Sequence, residues 1–168
     1  MTIPALKDSV KIVASDLDGT LLAPNHQLSD FTKQTLTKLH GQGYTFIFAT
    51  GRHHVDVAGI RKQTGIPAYM ITSNGARVHD QDDNLMYAKN IPAELVQSVV
   101  DVFKKDPEIF IHIYMNDEWL LNRDDETMKK FHDQTGFTYG LYDADNAPSE
   151  GIAKIFCTHP NKSHEHLV

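Results

Sequence analysis

The chain has 168 residues and a mass of 18.9 kDa, which suffices for one ordinary domain or two small ones. Its hydrophobic and charged fractions, 40% and 23%, are typical of folded globular proteins and disfavour collagen-like, coiled-coil and disordered classes. The formal net charge of −6 gives no general attraction to nucleic acid or anionic membranes, so we expect neither as a partner.

The first part of the chain contains three short apolar runs, at residues 10–15, 44–49 and 68–72. Continuous apolar runs predict strands that are buried on both faces. Helical patterns separate the three runs. A strand, helix, strand, helix, strand order is typical of a right-handed parallel sheet, so we expect an α/β, Rossmann-like fold.

Capping residues and apolar spacing predict the helices. Ser29 is the expected cap of the first helix, and a second helix runs from Val55 to Gly65. Pro92 suits the first turn of a third helix. The predicted inner faces are Phe31, Thr35, Leu36 and Leu39 in the first helix and Leu95, Val99, Val102 and Phe103 in the third.

After residue 75 the pattern changes to hairpins. Segments 76–80 and 85–88 flank a four-residue polar loop and predict a β-hairpin. The remaining predicted elements are strands at 109–114, 119–121 and 152–158, a short helix at 124–134 and two helical turns at most within 161–168. We therefore place a core domain at residues 1–80 and a second domain at 81–168.

Two carboxylates, Asp16 and Asp18, follow the first predicted strand and precede Gly19. Hard oxygen ligands at this spacing suit Mg²⁺, and the glycine allows a tight turn beneath them. A structural Asp-Gly turn without a metal is the alternative interpretation of this sequence. An EF-hand loop is excluded, because Gly19 falls at loop position 4 and Gln27 stands where that loop needs a glutamate.

The other two strands also end in polar turns, at Thr50-Gly51 and at Asn74-Gly75. Ligands of open parallel sheets gather outside the carboxyl ends of the strands, so the three turns are expected to converge. The Thr50 hydroxyl and the Gly51 N–H, just before a helix, form an arrangement typical of phosphate sites. An ordinary strand-to-helix turn is the alternative.

The segments Asp16-Leu-Asp-Gly-Thr-Leu-Leu and Ala49-Thr-Gly-Arg resemble motifs I and II of the haloacid dehalogenase superfamily. The Ser73-Asn-Gly-Ala turn before a hairpin is similar to the Cof-type branch, subfamily IIB, whose α/β cap follows the third core strand. Within it, the chain most resembles bacterial phosphatases of sugar phosphates and of pyridoxal phosphate.

The resemblance implies a Mg²⁺-dependent phosphatase of small phosphomonoesters. Asp16 would be the nucleophile that forms an aspartyl phosphate, and Asp18 the general acid and then the general base. The implied Mg²⁺ ligands are one Asp16 oxygen and the Asp18 backbone carbonyl, and differing environments would leave Asp18 free to carry a proton. The implied phosphate-binding groups are the Leu17 N–H, Thr50 and the Gly51 N–H, and Arg52 and Asn74 are candidate substrate contacts.

Two further family motifs are missing from the sequence, a motif III lysine and a motif IV acidic cluster. Residues 82–84 are acidic but follow no apolar strand, and Lys154 lies in a predicted strand of the second domain, the wrong context for motif III. We therefore interpret the chain as an amino-terminal portion that ends inside the cap. It is expected to lack the main cation of its phosphate site and to be inactive alone.

Other residues invite weaker interpretations. The histidines His53, His54, His159, His164 and His166 lack zinc-site spacing, and we expect His53 and His54 near the interface with the cap. Arg52 is otherwise expected to be a solvent-exposed residue at a helix start. Tyr114, Trp119 and Tyr142 are expected to pack in a core.

Three other functions stay open on the sequence: a phosphomutase of the same superfamily, a metal-dependent glycosyltransferase and a non-catalytic phosphate-binding module. The single cysteine, Cys157, cannot form an internal disulfide, which suits a reducing compartment, and we expect the cytoplasm. No signal-type segment or apolar run of about 18 residues is present. The expected partner is a small phosphorylated metabolite, and the sequence does not indicate the oligomeric state.

Overall fold

The computed structural model describes residues 11–131 and 135–160. The predicted helical turns at 161–168 and the end of the helix predicted at 124–134 lie outside these residues. The described part contains nine strands and four helices, which are β1 (Ile12–Ser15), α1 (Asp30–Gly41), β2 (Thr45–Ala49), α2 (His54–Thr64), β3 (Ala68–Thr72), β4 (Arg77–His79), β5 (Leu85–Ala88), α3 (Ala93–Phe103), β6 (Phe110–Met115), β7 (Glu118–Leu121), α4 (Glu126–Phe131), β8 (Tyr139–Leu141) and β9 (Ile152–Thr158).

The first sheet has the strand order β1-β2-β3-β4-β5. Strands β1, β2 and β3 are parallel, as predicted, with Ser15 beside Phe48 and Phe48 beside Met70. The predicted hairpin, β4 and β5, is also confirmed, and it continues the same sheet in antiparallel pairing. The sheet therefore runs past the predicted domain boundary at residue 80, while the division into core and cap stays a prediction.

Strand β1 is more exposed than its apolar sequence predicts. It lies at an edge of the first sheet, and the side chain of Ile12 is 55% exposed. The prediction that this strand is buried on both faces is wrong for this structure. Strand β2, which has a similar apolar sequence, is central and fully buries Phe46 and Phe48.

The first two helices begin and end where the capping signals predict. The Ser29 side chain accepts a hydrogen bond from the N–H of Thr32, and Gly65 ends α2 in the left-handed conformation at φ 73°. In α1 only part of the predicted inner face is correct. Leu36 is buried, whereas Phe31 is 80% exposed because it lies on the outer side of the first turn.

The second sheet has the order β8-β7-β6-β9, and α3 packs on it. Strand β8, at Tyr139–Leu141, was not predicted, because three residues are too few for an alternating pattern. The predicted face of α3 is only partly correct, because Phe103 packs against the core whereas Leu95 and Val102 do not. Val96 and Val100 are buried, while Leu95 and Val102 are 49% and 43% exposed, a rotation of the helix by about one residue.

Contacts between the two sheets place the second near the carboxyl ends of β2 and β3. Arg77 of β4 donates to the carbonyl of Gly151 at 2.9 Å, and His54 of α2 contacts Asp117 at 2.9 Å. The described helices include none that is long and apolar enough to cross a membrane.

Candidate active site

The predicted site residues occupy three neighbouring turns at one edge of the first sheet. Asp16 and Asp18 follow β1, Thr50 and Gly51 follow β2, and Asn74 lies in the short 3₁₀ turn after β3. Parallel register makes these turns neighbours, and hydrogen bonds join them. The structure thus brings the predicted groups to one place, whereas their chemical roles stay predictions.

Arg52 is the central side chain of this edge. Its guanidinium donates from Nε to Asp18 Oδ2 at 2.7 Å and from Nη2 to Asp18 Oδ1 at 2.6 Å, a two-point contact. Its third nitrogen, Nη1, donates to Asp56 Oδ2 at 2.8 Å, and Asp56 is fully buried. Arg52 is only 9% exposed, so the expectation of a solvent-exposed arginine is wrong.

This contact determines the charge of Asp18. The hydrogen bond from Arg52 is the largest cause of a lowered pKa of Asp18, and His26, whose Nδ1 lies 2.9 Å from Asp18 Oδ1, acts in the same direction. The expectation that Asp18 is free to carry a proton is therefore wrong for this conformation. Asp18 is held as a carboxylate.

Backbone hydrogen bonds join the turns after β2 and β3. The N–H of Ser73 donates to the carbonyl of Arg52 at 2.9 Å, and the N–H of Asn74 donates to that of Thr50 at 3.3 Å. Ser73 and Asn74 both have positive φ angles, 49° and 58°, which are uncommon for residues other than glycine. These strained residues direct the chain away from β3 and leave the Asn74 amide beside Gly51.

The hydroxyl of Thr50 has a defined partner within its own turn. Its Oγ1 accepts a hydrogen bond from the N–H of Arg52 at 3.2 Å, which leaves the hydroxyl proton available to a ligand. Thr50 is nearly buried, and the N–H of Gly51 lies next to it at the start of the path into α2. Both groups can donate to an oxyanion.

Lys154 completes this edge from the second sheet. Its Nζ donates to the carbonyl of Gly51 at 2.9 Å, although the two residues lie 103 positions apart in the sequence. The predicted position of Lys154 in a strand of the second domain is confirmed, whereas its contact with the Gly51 turn was not predicted. Lys154 is a nearby cation, although it is not the motif III lysine that the resemblance implies. The pairing of β9 with β6 directs the side chain towards Gly51, and no local sequence signal carries that information.

Asp16 is exposed, and the described residues offer its carboxylate no hydrogen bond or ion pair. Since the Asp18 carboxylate is occupied by Arg52 and His26, Asp18 can offer a metal only its backbone carbonyl. One carboxylate and one carbonyl are oxygen donors of the kind that Mg²⁺ accepts, with water and phosphate oxygens as its further ligands. The donor chemistry fits the predicted ion.

The histidines of α2 lie at the contact with the second sheet, as predicted. His53 is buried and its ring stacks on Phe137, with centroids 4.6 Å apart, while its Nδ1 accepts from the N–H of Val55. Burial, reinforced by the charge of His54, lowers the pKa of His53 to about 3. His53 is therefore a neutral packing residue at physiological pH.

The aromatic residues and the remaining histidines singled out in the sequence belong to the second sheet and its surroundings. Tyr114 and Trp119 are buried in its core, as expected, and Tyr142 packs at its margin. His159 lies near Asp106 and Glu108, in a group of the kind that can bind a metal, although no zinc spacing predicted it. His164 and His166 lie outside the described residues.

Residues 13–167 match the sequence profile of the haloacid dehalogenase-like hydrolases. The chain belongs to this family. The match covers both sheets, and it agrees with the superfamily and the α/β, Rossmann-like fold predicted from the motifs.

Curated relatives support the same assignment. The chain is 40% identical over 147 residues to a Haemophilus influenzae protein provisionally named a phosphatase, and 37% identical over 158 residues to a Yersinia pestis HMP-PP phosphatase. These matches cover 87% and 94% of the chain but 54% and 56% of the relatives. The chain thus spans about half the length of the curated relatives it matches.

Structural comparison shows the same fold at lower identity. A sugar phosphatase described as HAD subclass IIB aligns with a TM-score of 0.69 and 22% identity, over 84% of this chain and 56% of that one. A haloacid dehalogenase-like hydrolase from B. subtilis aligns with a TM-score of 0.66 and 24% identity, over 77% and 53%. At these identities the likeness concerns the fold alone.

Proposed function

We propose that the protein of which this chain forms part is a Mg²⁺-dependent phosphatase that hydrolyses small phosphomonoesters through an aspartyl phosphate on Asp16. The observation that carries the proposal is the convergence of an uncommitted carboxylate, Asp16, with the donors of Thr50 and Gly51 at one sheet edge. A nucleophile beside a phosphate cradle is the arrangement that phosphoryl transfer needs.

Asp16 is the better nucleophile of the two carboxylates. The described residues leave it without a partner, whereas Arg52 holds both oxygens of Asp18. Asp18 has the ionised form that the base of the second step needs, although Arg52 and His26 contact its oxygens in this conformation. It can protonate a leaving group only in a conformation in which Arg52 has moved away, because the present contact stabilises the carboxylate.

The phosphoryl oxygens are expected to meet the Leu17 and Gly51 N–H groups and the Thr50 hydroxyl. Asp16 and the backbone carbonyl of Asp18 would hold Mg²⁺, which would reduce the repulsion between the anionic nucleophile and the anionic substrate. Arg52 then serves as a positioning residue for Asp18. Asn74, whose Oδ1 lies beside Gly51, stays a candidate substrate contact.

The experiment follows phosphate release from a panel of sugar phosphates and pyridoxal phosphate in the presence of Mg²⁺. It compares the 168-residue chain with a version extended by the sequence encoded downstream of residue 168. We expect release by the extended version, its loss in Asp16→Asn, and no change in Asp30→Asn. Asp30 is a matched control, since it is an exposed aspartate at the start of α1.

One result would contradict the proposal, and another would contradict only the expectation that the 168-residue chain is inactive alone. An extended version that releases phosphate from none of the esters would remove the phosphatase assignment. Release by the 168-residue chain that Asp16→Asn abolishes would keep the phosphatase assignment and show that the missing motifs are dispensable.

A further inference from the structure

Lys154 is a charged residue at the candidate site that no family motif explains. It lies in β9 and its ammonium group contacts the carbonyl of Gly51, inside the turn that also holds Thr50. The ammonium lies over two aromatic faces, 4.6 Å from the ring centroid of Phe156 and 5.6 Å from that of Tyr114. These rings fix its position and exclude water from one side of it.

Lys154 differs from Lys129 in α4 and Lys104 at the end of α3 in having no carboxylate partner among residues 11–131 and 135–160. Lys129 pairs with Asp124 and Glu126, and Lys104 pairs with Asp145. Burial lowers the pKa of Lys154, which is the direction expected for a cation that loses water without gaining an anion. An anion that reaches a half-buried ammonium stabilises it, because the ammonium otherwise has only a carbonyl oxygen as its acceptor.

We propose that Lys154 binds a phosphate oxygen of the ligand and thereby supplies the candidate site with its cation from the second sheet. The proposal rests on the proposed function only in that the Thr50-Gly51 turn takes a phosphate group. The N–H that would bind the anion and the carbonyl that Lys154 now contacts belong to the same residue, Gly51, so the flexible side chain can reach the anion by rotation.

This placement also links ligand binding to the contact between the two sheets. A phosphate group held by Thr50 and Gly51 on one side and by Lys154 on the other bridges the first and second sheets. The binding energy of the phosphate then favours the arrangement in which the second sheet covers the site. Phosphate binding through Lys154 therefore requires the second sheet to lie beside the Thr50-Gly51 turn.

The test uses the 168-residue chain and orthophosphate, at constant ionic strength. Calorimetry measures phosphate affinity in the wild type, in Lys154→Met and in Lys129→Met, a matched control at an exposed, ion-paired lysine of the same part of the chain. We expect Lys154→Met to weaken binding at least about tenfold and Lys129→Met to change it less than about twofold. Lys154→Arg should retain part of the affinity, because it keeps the charge.

A second measurement follows the wild-type chain and needs a variant only to assign one resonance. Reductive methylation with ¹³C-formaldehyde labels the lysines of the wild-type chain and keeps their charge, and Lys154→Arg identifies the Lys154 resonance. We expect that resonance to shift as orthophosphate is added. Equal affinities in Lys154→Met and Lys129→Met, an unmoved Lys154 resonance, or a wild-type chain that binds no orthophosphate would each overturn the proposal.

The outcome is separable from the fate of the proposed function. Orthophosphate binding requires no nucleophile. Binding that depends on Lys154, in a protein whose Asp16 never becomes phosphorylated, would keep Lys154 as a phosphate ligand and remove the proposed hydrolysis. Phosphorylation of Asp16 without any effect of Lys154 on phosphate affinity would do the reverse.

Discussion

The guanidinium of Arg52 holds both oxygens of the Asp18 carboxylate, at 2.7 and 2.6 Å, and connects them to the buried Asp56. The contact joins the turn after β1 to the turn after β2, which are 34 residues apart in the sequence. It fixes the position of Asp18 and keeps it ionised. Any use of Asp18 as an acid must therefore begin with a change at Arg52.

The first prediction concerns this pair. Arg52→Met removes the largest cause of the lowered pKa of Asp18, so that pKa should rise towards its ordinary value, and Arg52→Lys should raise it less. Carboxyl ¹³C resonances of aspartate-labelled chain, with Asp18→Asn for assignment, measure the effect. Lys129→Met should leave the Asp18 titration unchanged, and an unchanged titration in Arg52→Met would refute the role given to Arg52.

The same variant has a cost in stability. Arg52→Met takes the guanidinium away from Asp56, which is fully buried. Removing one partner of a buried ion pair costs about 3–5 kcal/mol, so the free energy of unfolding in urea should fall by that order. A loss below about 1 kcal/mol, the usual range of exposed pairs, would show that the pair is not effectively buried.

A second prediction uses the crowded surroundings of Gly51. A Cβ at this position would lie 3.1 Å from Asn74 Oδ1 and 3.2 Å from Lys154 Nζ, so Gly51→Ala should push both side chains away. We expect weaker orthophosphate binding and a loss of about 1 kcal/mol in unfolding free energy. Gly41→Ala, at the end of α1 with nothing within 4 Å, should leave phosphate binding unchanged; equal phosphate affinities would contradict the assignment.

A third prediction compares two glycines with the same backbone angle. Gly65 and Gly151 have φ angles of 73° and 72°, but an added Cβ would meet nothing within 4 Å at Gly65 and would overlap the side-chain amide of Asn116 at Gly151. Gly65→Ala should cost about 1 kcal/mol from the backbone alone. Gly151→Ala should cost at least about 1 kcal/mol more, because Asn116 must move.

The excess cost at Gly151 can be separated from backbone strain. In the background of Asn116→Ala, the Gly151→Ala change should cost about as much as Gly65→Ala, which a double-mutant cycle of urea unfolding measures. If the two glycine substitutions cost the same in the wild-type background, the close approach of Asn116 to Gly151 is not rigid.

A fourth prediction follows from the buried His53. Its pKa of about 3 lies below the unfolded value of 6.5, so between these pH values the unfolded chain binds the extra proton. Stability is therefore lost as pH falls below 6.5, by about 2 kcal/mol between pH 7 and pH 5 from this residue. His53→Asn keeps a capping side chain for α2 and should reduce that loss.

The control for His53 is His40→Asn, at an exposed histidine in the last turn of α1. Urea unfolding at pH 7 and pH 5 should show the wild-type difference in the control and a smaller difference in His53→Asn. The same pH dependence in both variants would mean that His53 is protonated without unfolding.

The ends of the strands were predictable because their signals are local. Polar residues after an apolar run identify the turn at Asp16 and the turn at Thr50, and parallel pairing alone brings them together. Burial of β1 was not predictable in this way. An apolar run can form either an internal strand or an edge strand of a sheet. Only the strand order explains why Ile12 is exposed and Phe46 is buried.

Lys154 and Arg52 show the same limit at the site itself. Arg52 follows a recognisable motif and Asp56 lies four residues after it, but Asp18 becomes its partner only because the turns after β1 and β2 are neighbours. Lys154 reaches Gly51 through the register of β9 on β6, which no pattern within β9 specifies. Local sequence signals therefore predict where the site lies. The contacts that set its charges depend on strand pairing between distant parts of the chain.

The central claim, phosphoryl transfer to Asp16, is tested most directly by trapping the intermediate. The extended version of the chain is mixed with a ³²P-labelled phosphomonoester and Mg²⁺, quenched in acid during turnover and digested with trypsin, which releases residues 12–33. We predict a hydroxylamine-sensitive label on Asp16 that is absent from Asp16→Asn and present in Asp30→Asn. Phosphate release without protein-bound label, and with inversion at phosphorus, would contradict the account.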